Sequence, residues 1–399
     1  MVDIKYDKYS VITEIALFFL LGNAVLALDE VPLLHNLFSW LRVVAVGYAV
    51  LLFFNNRKID VFTWLVALLY LFLGAITFKQ HGAMFMWTSF TLNSLGISLL
   101  TYYSIKRSPN ITIHIYAKLF AILIYFNFIT MLIAPDGIFN GSYPLGSNYN
   151  QIGAKLICGM TIYIVAHRMK LRHYLPTLAL SVTCALTPII LGSMTSAVGC
   201  MLMLLFFVIK NSKLRKIVII TFFIFYLVFQ TFVVFMQGDL SENKQASYFI
   251  EEVLGKDLTF SDRARVWSEV IDYIIDSPTT GYGIQNVDWF ESNFRVKSSH
   301  NIILQMMMYG GTVTLAILIF IIFFTVKRSI KERSAINDTL IFGLAVFFFM
   351  MMMESYTPVL VLFMINMLYY STEFSKDSDL ALNVSHENNQ VLSHNTTLQ

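Results

Sequence analysis

Long apolar stretches, separated by short polar connections, fill most of this chain. Each stretch approaches the roughly 20 residues that an α-helix needs to cross the hydrocarbon core of a bilayer. They lack the period-two alternation typical of transmembrane β-strands. The pattern predicts an all-α polytopic membrane protein with about 12 transmembrane helices and one large external loop containing short helices. The predicted spans are 11–29, 37–54, 61–79, 83–104, 113–134, 150–167, 175–191, 194–209, 217–236, 301–326, 338–354 and 356–371.

The polar stretches divide the chain into four parts. Residues 1–236 form a membrane domain with spans 1–9, residues 237–299 form the external loop with the candidate catalytic residues, and residues 300–371 form the membrane part with spans 10–12. Residues 372–399 are rich in Asn, Ser and acidic residues, which is typical of a disordered tail. A signal peptide is the alternative for the first stretch, but the spans that follow favour an uncleaved helix.

Charge is scarce in this chain. Only 13% of its 399 residues are charged and 57% are hydrophobic. A soluble domain carries roughly 25% charged residues, so the composition excludes a soluble enzyme. All three cysteines lie within apolar stretches. Their odd number gives no disulfide framework, and their spacing is not that of metal ligands. We expect packing roles for Cys158, Cys184 and Cys200.

The basic residues alternate from one side of the predicted bundle to the other. Most of the 28 Lys and Arg residues fall in every second connection, and the short connections between are nearly free of them. Because Lys and Arg resist translocation, the basic side is expected to be cytoplasmic. This assignment predicts cytoplasmic termini, a cytoplasmic 372–399 tail and an external 237–299 loop.

One segment of the external loop has helical periodicity. Ser261 or Asp262 is suited to cap a helix that ends near Asp276, before Pro278. Its apolar residues form a single stripe, so the helix lies either on the membrane surface or on the protein's own core. The stripe consists of Val266, Trp267, Val270, Ile271, Ile274 and Ile275.

Arg263 and Arg265 fall in the first turn of this helix. Arginine there opposes the helix dipole, so both side chains are candidates to bind an external anion together with the free N–H groups of that turn. Guanidinium groups bind phosphate oxygens in bidentate fashion. A solvated face, or one that binds lipid headgroups, accounts for the spacing equally well.

His300 begins the apolar run that follows the loop. Histidine titrates in the range of a general base, although histidines at a membrane interface are more often inert than catalytic. Asn301 is suited to cap the helix or to orient the imidazole. Before them, Pro278-Thr279-Thr280-Gly281-Tyr282-Gly283 forms a glycine-rich turn in which Tyr282 is a candidate substrate contact.

Two cations lie within apolar stretches, near the outward ends of their predicted helices. Inserting such a charge costs about 2.5–3.5 kcal/mol and usually marks function or a buried pair. Arg42 and Lys155 are therefore candidate substrate-binding residues, and snorkelling to the headgroups is the alternative. Asn148 and Asn150 offer amides suited to sugar hydroxyls, although an ordinary polar helix start explains them better.

Three motifs resemble those of the O-antigen polymerase and O-antigen ligase superfamily. They are Arg263-x-x-x-Trp267, then Pro278-x-x-Gly281-Tyr282-Gly283, then His300-Asn301 followed by Gly311 and Thr314. The resemblance covers about residues 140–370. Many members carry Ser-Arg near the span after the seventh, whereas this chain has Ser193-Met194-Thr195-Ser196-Ala197. Any role of that arginine is unfilled here or has moved to Arg42 or Lys155.

The resemblance implies a membrane-embedded glycosyltransferase that builds capsule, exopolysaccharide or O-antigen in the bacterial cytoplasmic membrane. Its donor is an undecaprenyl-pyrophosphate-linked oligosaccharide, and its acceptor is the next repeat unit in a polymerase. It implies a catalytic His300 that activates the acceptor hydroxyl and an Arg263 that binds the departing pyrophosphate. A flippase and a chain-length regulator are expected partners in the bilayer. No cofactor, metal ion or nucleic acid is expected.

Two alternatives stay open. An O-antigen ligase transfers the same donor glycan to lipid A core or to a protein, and the sequence distinguishes it poorly from a polymerase. The loose match to the shared motifs favours a polymerase, because polymerases vary widely in sequence. A polytopic transporter or lipid-linked oligosaccharide flippase explains the spans but not the long external loop, and the paired halves typical of carriers are not evident.

Overall fold

A computed structural model describes residues 8–26, 31–138, 141–146, 149–235, 263–332, 334–354 and 358–374. Within these ranges the chain forms helices and turns and no β-strand, which confirms the all-α prediction. A π-helical segment, Gln230–Phe235, continues the ninth helix. The α-helices are α1 (Lys8–Val25), α2 (Pro32–Asn56), α3 (Val61–Lys79), α4 (Met84–Arg107), α5 (Pro109–Ile133), α6 (Tyr149–Arg168), α7 (Tyr174–Ile190), α8 (Met194–Val208), α9 (Ser212–Phe229), α10 (Arg263–Asp276), α11 (Val287–Phe294), α12 (Ile302–Ser329), α13 (Ala335–Met350) and α14 (Pro358–Tyr369).

Each predicted span coincides with one helix, and α10 and α11 lie in the predicted external loop. Among the described residues, five helices are long and apolar enough to cross a membrane, namely α2, α3, α5, α9 with its π segment, and α12. Further apolar helices are shorter, among them α7, α8, α13 and α14. The chain is therefore a helical membrane protein, and the count of 12 crossings stays a prediction.

Local sequence signals fix several helix ends. Asp60 caps α3 by accepting hydrogen bonds from the backbone N–H groups of Phe62 and Thr63 at 3.3 and 3.2 Å, as a short acidic side chain does at this position. Pro32 occupies the first turn of α2 and starts this helix before the predicted residue 37. The longer helix corrects one prediction, because Arg42 lies near the middle of α2 rather than near its outward end.

The centre of the bundle is α6, which is buried along almost its whole length. It packs against α5, α7, α8 and α13. Glycines permit this close packing, since a Cβ at Gly343 would lie 2.4 Å from Thr161 Oγ1. Small residues bring helix backbones together in membranes, where packing drives association. Cys158, Cys184 and Cys200 are buried, as their apolar surroundings predicted.

The basic connections gather at one end of the bundle, which we call the basic end. There Arg215 pairs with Asp338 at 2.9 Å. Residues 371–374 form a further helical turn at this end, so the ordered chain extends beyond residue 372, where we predicted the disordered tail to begin. The remainder of that predicted tail, 375–399, lies outside the described residues. The opposite end carries the start of α12 together with α10 and α11.

The apolar stripe of α10 packs on the protein's own core. Four of its residues are buried in one cluster with α11, α12 and the π segment, while Ile275 is 66% exposed. This resolves the choice between core and membrane surface for most of the stripe. The predicted caps Ser261 and Asp262 lie outside the described residues. The cluster comprises Val234, Val266, Trp267, Val270, Ile274, Phe290, Phe294, Leu304 and Met308.

Candidate functional site

His300 stands directly before α12, where the chain turns sharply. Its backbone φ is 51°, a left-handed conformation that is unfavourable for a residue with a side chain. The turn sets the imidazole beside a carboxylate, and His300 Nδ1 lies 3.1 Å from Glu354 Oε1. The His300 side chain stays 24% exposed, whereas that of Glu354 is 9% exposed. One ring nitrogen is thus held by the protein, and the exposed part of the ring can meet a substrate.

Asn301 holds the start of α12 in place. Its Oδ1 accepts hydrogen bonds from the backbone N–H groups of Ile303 and Leu304 at 3.0 and 3.1 Å, so it caps the helix. Its Nδ2 donates to the carbonyl of Met352 at 3.2 Å. The side chain is fully buried, so the structure favours the predicted capping role over the predicted substrate contact.

Two hydrogen bonds tie the start of α12 to the turn that carries Glu354. One is the Asn301–Met352 bond, and in the other the N–H of Ile302 donates to the carbonyl of Met351 at 3.0 Å. Both acceptors precede Glu354 by only a few residues, and both donors follow His300 directly. The backbone therefore fixes the histidine and the carboxylate relative to each other.

The glycine-rich turn after α10 fills a break in α12. At Gly310 and Gly311 the helical conformation is interrupted, and Gly311 has φ 64° and ψ −164°, which essentially only glycine adopts. A Cβ at Gly311 would lie 2.1 Å from the carbonyl carbon of Thr279. The motif residues Gly281 and Gly311 thus allow two backbones to touch.

Backbone groups released by the break are satisfied by the turn. The N–H of Tyr282 donates to the carbonyl of Met308 at 2.8 Å, and the N–H of Gly283 donates to that of Tyr309 at 2.9 Å. In return, the N–H of Thr312 donates to the carbonyl of Pro278 at 2.8 Å. In an unbroken helix these groups would bond within α12. The proline–glycine motif is therefore a docking element for α12.

The two arginines of α10 differ in their surroundings. Arg265 Nη1 pairs with Glu269 Oε1 at 2.6 Å, one helical turn further on, and both side chains are partly exposed. Arg263 is the first residue of α10. Val266 and Trp267, one turn after Arg263, lie in one apolar cluster with Leu304 in the first turn of α12. The structure thus brings Arg263 and His300 to the same end of the bundle.

Lys155 and Tyr282 contact the protein itself. Lys155 is only 7% exposed, and its ammonium group donates a hydrogen bond to the carbonyl of Leu145. The Tyr282 hydroxyl donates to the carbonyl of Tyr273 at 2.8 Å. Burial raises the pKa of Tyr282, and the nearby Asp276 raises it further, so the hydroxyl stays a donor. Their predicted contacts with substrate stay predictions.

The other predicted substrate contacts lie elsewhere or outside the described residues. Arg42 belongs to α2, which packs mainly against α1 and α4. Asn148 lies outside the described residues. Asn150 lies in the first turn of α6, and its side chain is not among those described.

Sequence reasoning missed two residues of this site, Glu354 and Gln230. Glu354 is the only charged residue between positions 339 and 372, and this isolation was a usable signal. Gln230 is a single amide near the end of an apolar run, and its partner lies 71 positions away. Nothing in the sequence identifies that partner.

The fold and the site define a helical membrane protein with a histidine–carboxylate pair and an arginine-bearing helix at one end. Residues 179–319 match the family model described as O-antigen ligase. This part of the chain is therefore similar to that family, within the superfamily of O-antigen ligases and polymerases, as the motifs predicted. Family members are glycosyltransferase-like membrane enzymes. No curated protein matches the chain.

The match is shorter than the predicted resemblance over residues 140–370. It runs from α7 into α12 and includes Arg263, the proline–glycine turn and His300. Glu354 lies beyond it. The carboxylate partner of the histidine is therefore a feature that the structure adds to the family match.

Proposed function

We propose that this protein polymerises lipid-linked oligosaccharide repeat units on the outer face of the bacterial cytoplasmic membrane. The donor glycan is carried by undecaprenyl pyrophosphate, and the acceptor is the next repeat unit. The observation that carries the proposal is the 3.1 Å contact of His300 with Glu354. It is supported by the family match, which includes this histidine and Arg263.

His300 acts as the general base in this proposal. With Nδ1–H donating to the Glu354 carboxylate, Nε2 keeps its lone pair and takes the proton of the acceptor hydroxyl. The hydroxyl oxygen then forms a bond to the anomeric carbon of the donor as the bond to the pyrophosphate oxygen breaks. The carboxylate holds the ring in this tautomer and stabilises the imidazolium that forms.

Arg263 binds the departing pyrophosphate. The leaving group carries the electron pair of the broken bond, so a fixed positive charge beside it lowers the barrier. A guanidinium group at the first turn of a helix can act together with the free N–H groups of that turn. Arg265 is already paired with Glu269 and contributes less.

A ligase is the second candidate, favoured by one observation: the matching family model is described as O-antigen ligase. The same base and arginine serve both reactions, because only the acceptor differs. In a ligase the acceptor is lipid A core or a protein. Products therefore separate the two: a polymerase yields ladders of lipid-linked repeats, and a ligase yields glycan on the new acceptor.

His300→Ala tests the chemistry. We expect it to abolish long polymer while single lipid-linked repeats accumulate, because a positioned base contributes about 10²–10⁴-fold. Membrane levels of the protein should stay unchanged. His35→Ala and His81→Ala are the control variants, because these histidines were predicted in short turns on the same side of the membrane. Both should leave polymer length unchanged. Normal polymer from His300→Ala would contradict the proposal and restore the transporter hypothesis.

A further inference from the structure

The π-helical segment Gln230–Phe235 connects both halves of the candidate site. Segments of this kind are rare and occur frequently at functional sites. Two of its side chains point into the protein, since Gln230 is 4% exposed and Val234 is fully buried. The exposed residues Thr231 and Phe232 lie on the other side of the segment.

Gln230 forms a reciprocal amide pair with Asn301. Gln230 Nε2 donates to Asn301 Oδ1 at 3.4 Å, and Asn301 Nδ2 donates to Gln230 Oε1 at 3.1 Å. Asn301 is the residue that caps α12 and also reaches the carbonyl of Met352. A buried amide is costly unless it is hydrogen-bonded, so both side chains are satisfied only when the π segment, α12 and the turn before Glu354 are in register.

Val234 contacts the other half of the site. It lies in the apolar cluster with Val266 and Trp267 of α10, one turn after Arg263. The π segment therefore touches the helix that carries the arginine with one side chain, and the cap of the helix that carries the histidine with another.

We propose that Gln230 is a positioning residue for His300, and that the π segment holds the histidine–carboxylate pair and the arginine-bearing helix in one arrangement. Gln230 acts through Asn301 and touches no reacting atom. The inference rests on the proposed function, in which His300 is the base.

Gln230→Leu tests the inference in the full-length protein, reconstituted in proteoliposomes. The probe is the lipid-pyrophosphate-linked repeat unit extracted from a strain lacking the gene. We expect kcat to fall by up to about 10²-fold, as for a small misplacement of a catalytic group, at unchanged KM. Thr231→Val, in the same segment, is the matched control and should behave as the wild type.

Asn301→Asp provides a second variant, which breaks the amide pair from the other side. It keeps the acceptor for the N–H groups of Ile303 and Leu304, so the cap survives, but it cannot donate to Gln230 or Met352. We expect the same loss of kcat at unchanged KM.

The possible results are distinguishable. If Gln230→Leu keeps the wild-type kcat while His300→Ala is inactive, the positioning role is wrong and the proposed function stands. A loss that follows only from less folded protein, with normal kcat per folded molecule, also overturns the positioning role. Full activity of His300→Ala contradicts the proposed function itself.

Discussion

The two ends of the helix bundle use their charged residues differently. At the basic end, Arg215 and Asp338 form a pair with side chains only 6% and 14% exposed, and the guanidinium of Arg168 donates to the carbonyl of Phe207 at 2.9 Å. At the opposite end, the pair of His300 with Glu354 leaves the imidazole 24% exposed. The enclosed pair at the basic end joins α9 to α13, whereas the partly exposed imidazole at the opposite end is accessible to a substrate.

Glu354→Gln should produce the largest effect of these variants. It tests the partly exposed histidine–carboxylate pair at the end of the bundle opposite the basic end. The substitution preserves shape but removes the charge that orients His300 and stabilises its protonated form. We expect polymer formation to fall by about 10²–10⁴-fold, with normal membrane levels. The measurement is initial rate per folded molecule. Glu291→Gln, exposed on α11, is the matched control, and equal rates for the two variants would remove Glu354 from the mechanism.

Arg263→Lys keeps the charge at the same end but loses the planar fork that binds two phosphate oxygens. A hydrogen bond to a charged group contributes about 1.5–3 kcal/mol, so we expect activity to fall roughly 10- to 100-fold. Arg265→Lys is the control, since its exposed pair with Glu269 contributes only about 0–1 kcal/mol. Comparable losses in both variants would point to a general role of positive charge on α10.

Arg215→Leu tests the basic end. The substitution leaves the carboxylate of Asp338 poorly compensated, and breaking a buried pair in this way costs about 3–5 kcal/mol. We expect a lower midpoint of thermal unfolding in detergent, but unchanged activity per folded molecule. Lys106→Ala is the milder counterpart, because its pair with Glu373 is 43% and 21% exposed. A specific loss of kcat in Arg215→Leu would mean that the two ends are coupled.

Cysteines introduced at two positions should not change activity. Labelling them assigns each end of the helix bundle to one side of the membrane. Ser241→Cys, in the predicted external loop, should react with an impermeant maleimide in intact cells. Ser385→Cys, in the predicted cytoplasmic tail, should react only after the cells are opened. The reverse pattern would invert the proposed orientation.

The sequence predicted those features that depend on local periodicity. The helices of the bundle and α10, with its stripe and its end before Pro278, follow from the spacing of apolar residues and from strong helix-ending signals. The candidate general base was found because His300 occupies a conspicuous position at a polar–apolar boundary.

Contacts between distant segments could not be predicted in the same way. Glu354 meets His300 across 54 positions, and only the packing of α12 against the end of α13 brings them together. The Gly310-Gly311 pair is a local signal for a break in α12, but nothing in the sequence shows that another segment fills the gap. Arg42 was predicted near a helix end because the predicted start of α2, residue 37, falls later than its actual start at Pro32.

The break in α12 imposes an order on assembly. Three of the hydrogen bonds that complete this helix come from residues 278–283, which precede it in the chain. In hydrocarbon an unsatisfied backbone group costs several kcal/mol, so α12 reaches its final form only when the preceding turn is present on the same side of the membrane. The span that begins at the candidate base can thus be finished only after the turn before it has folded against it.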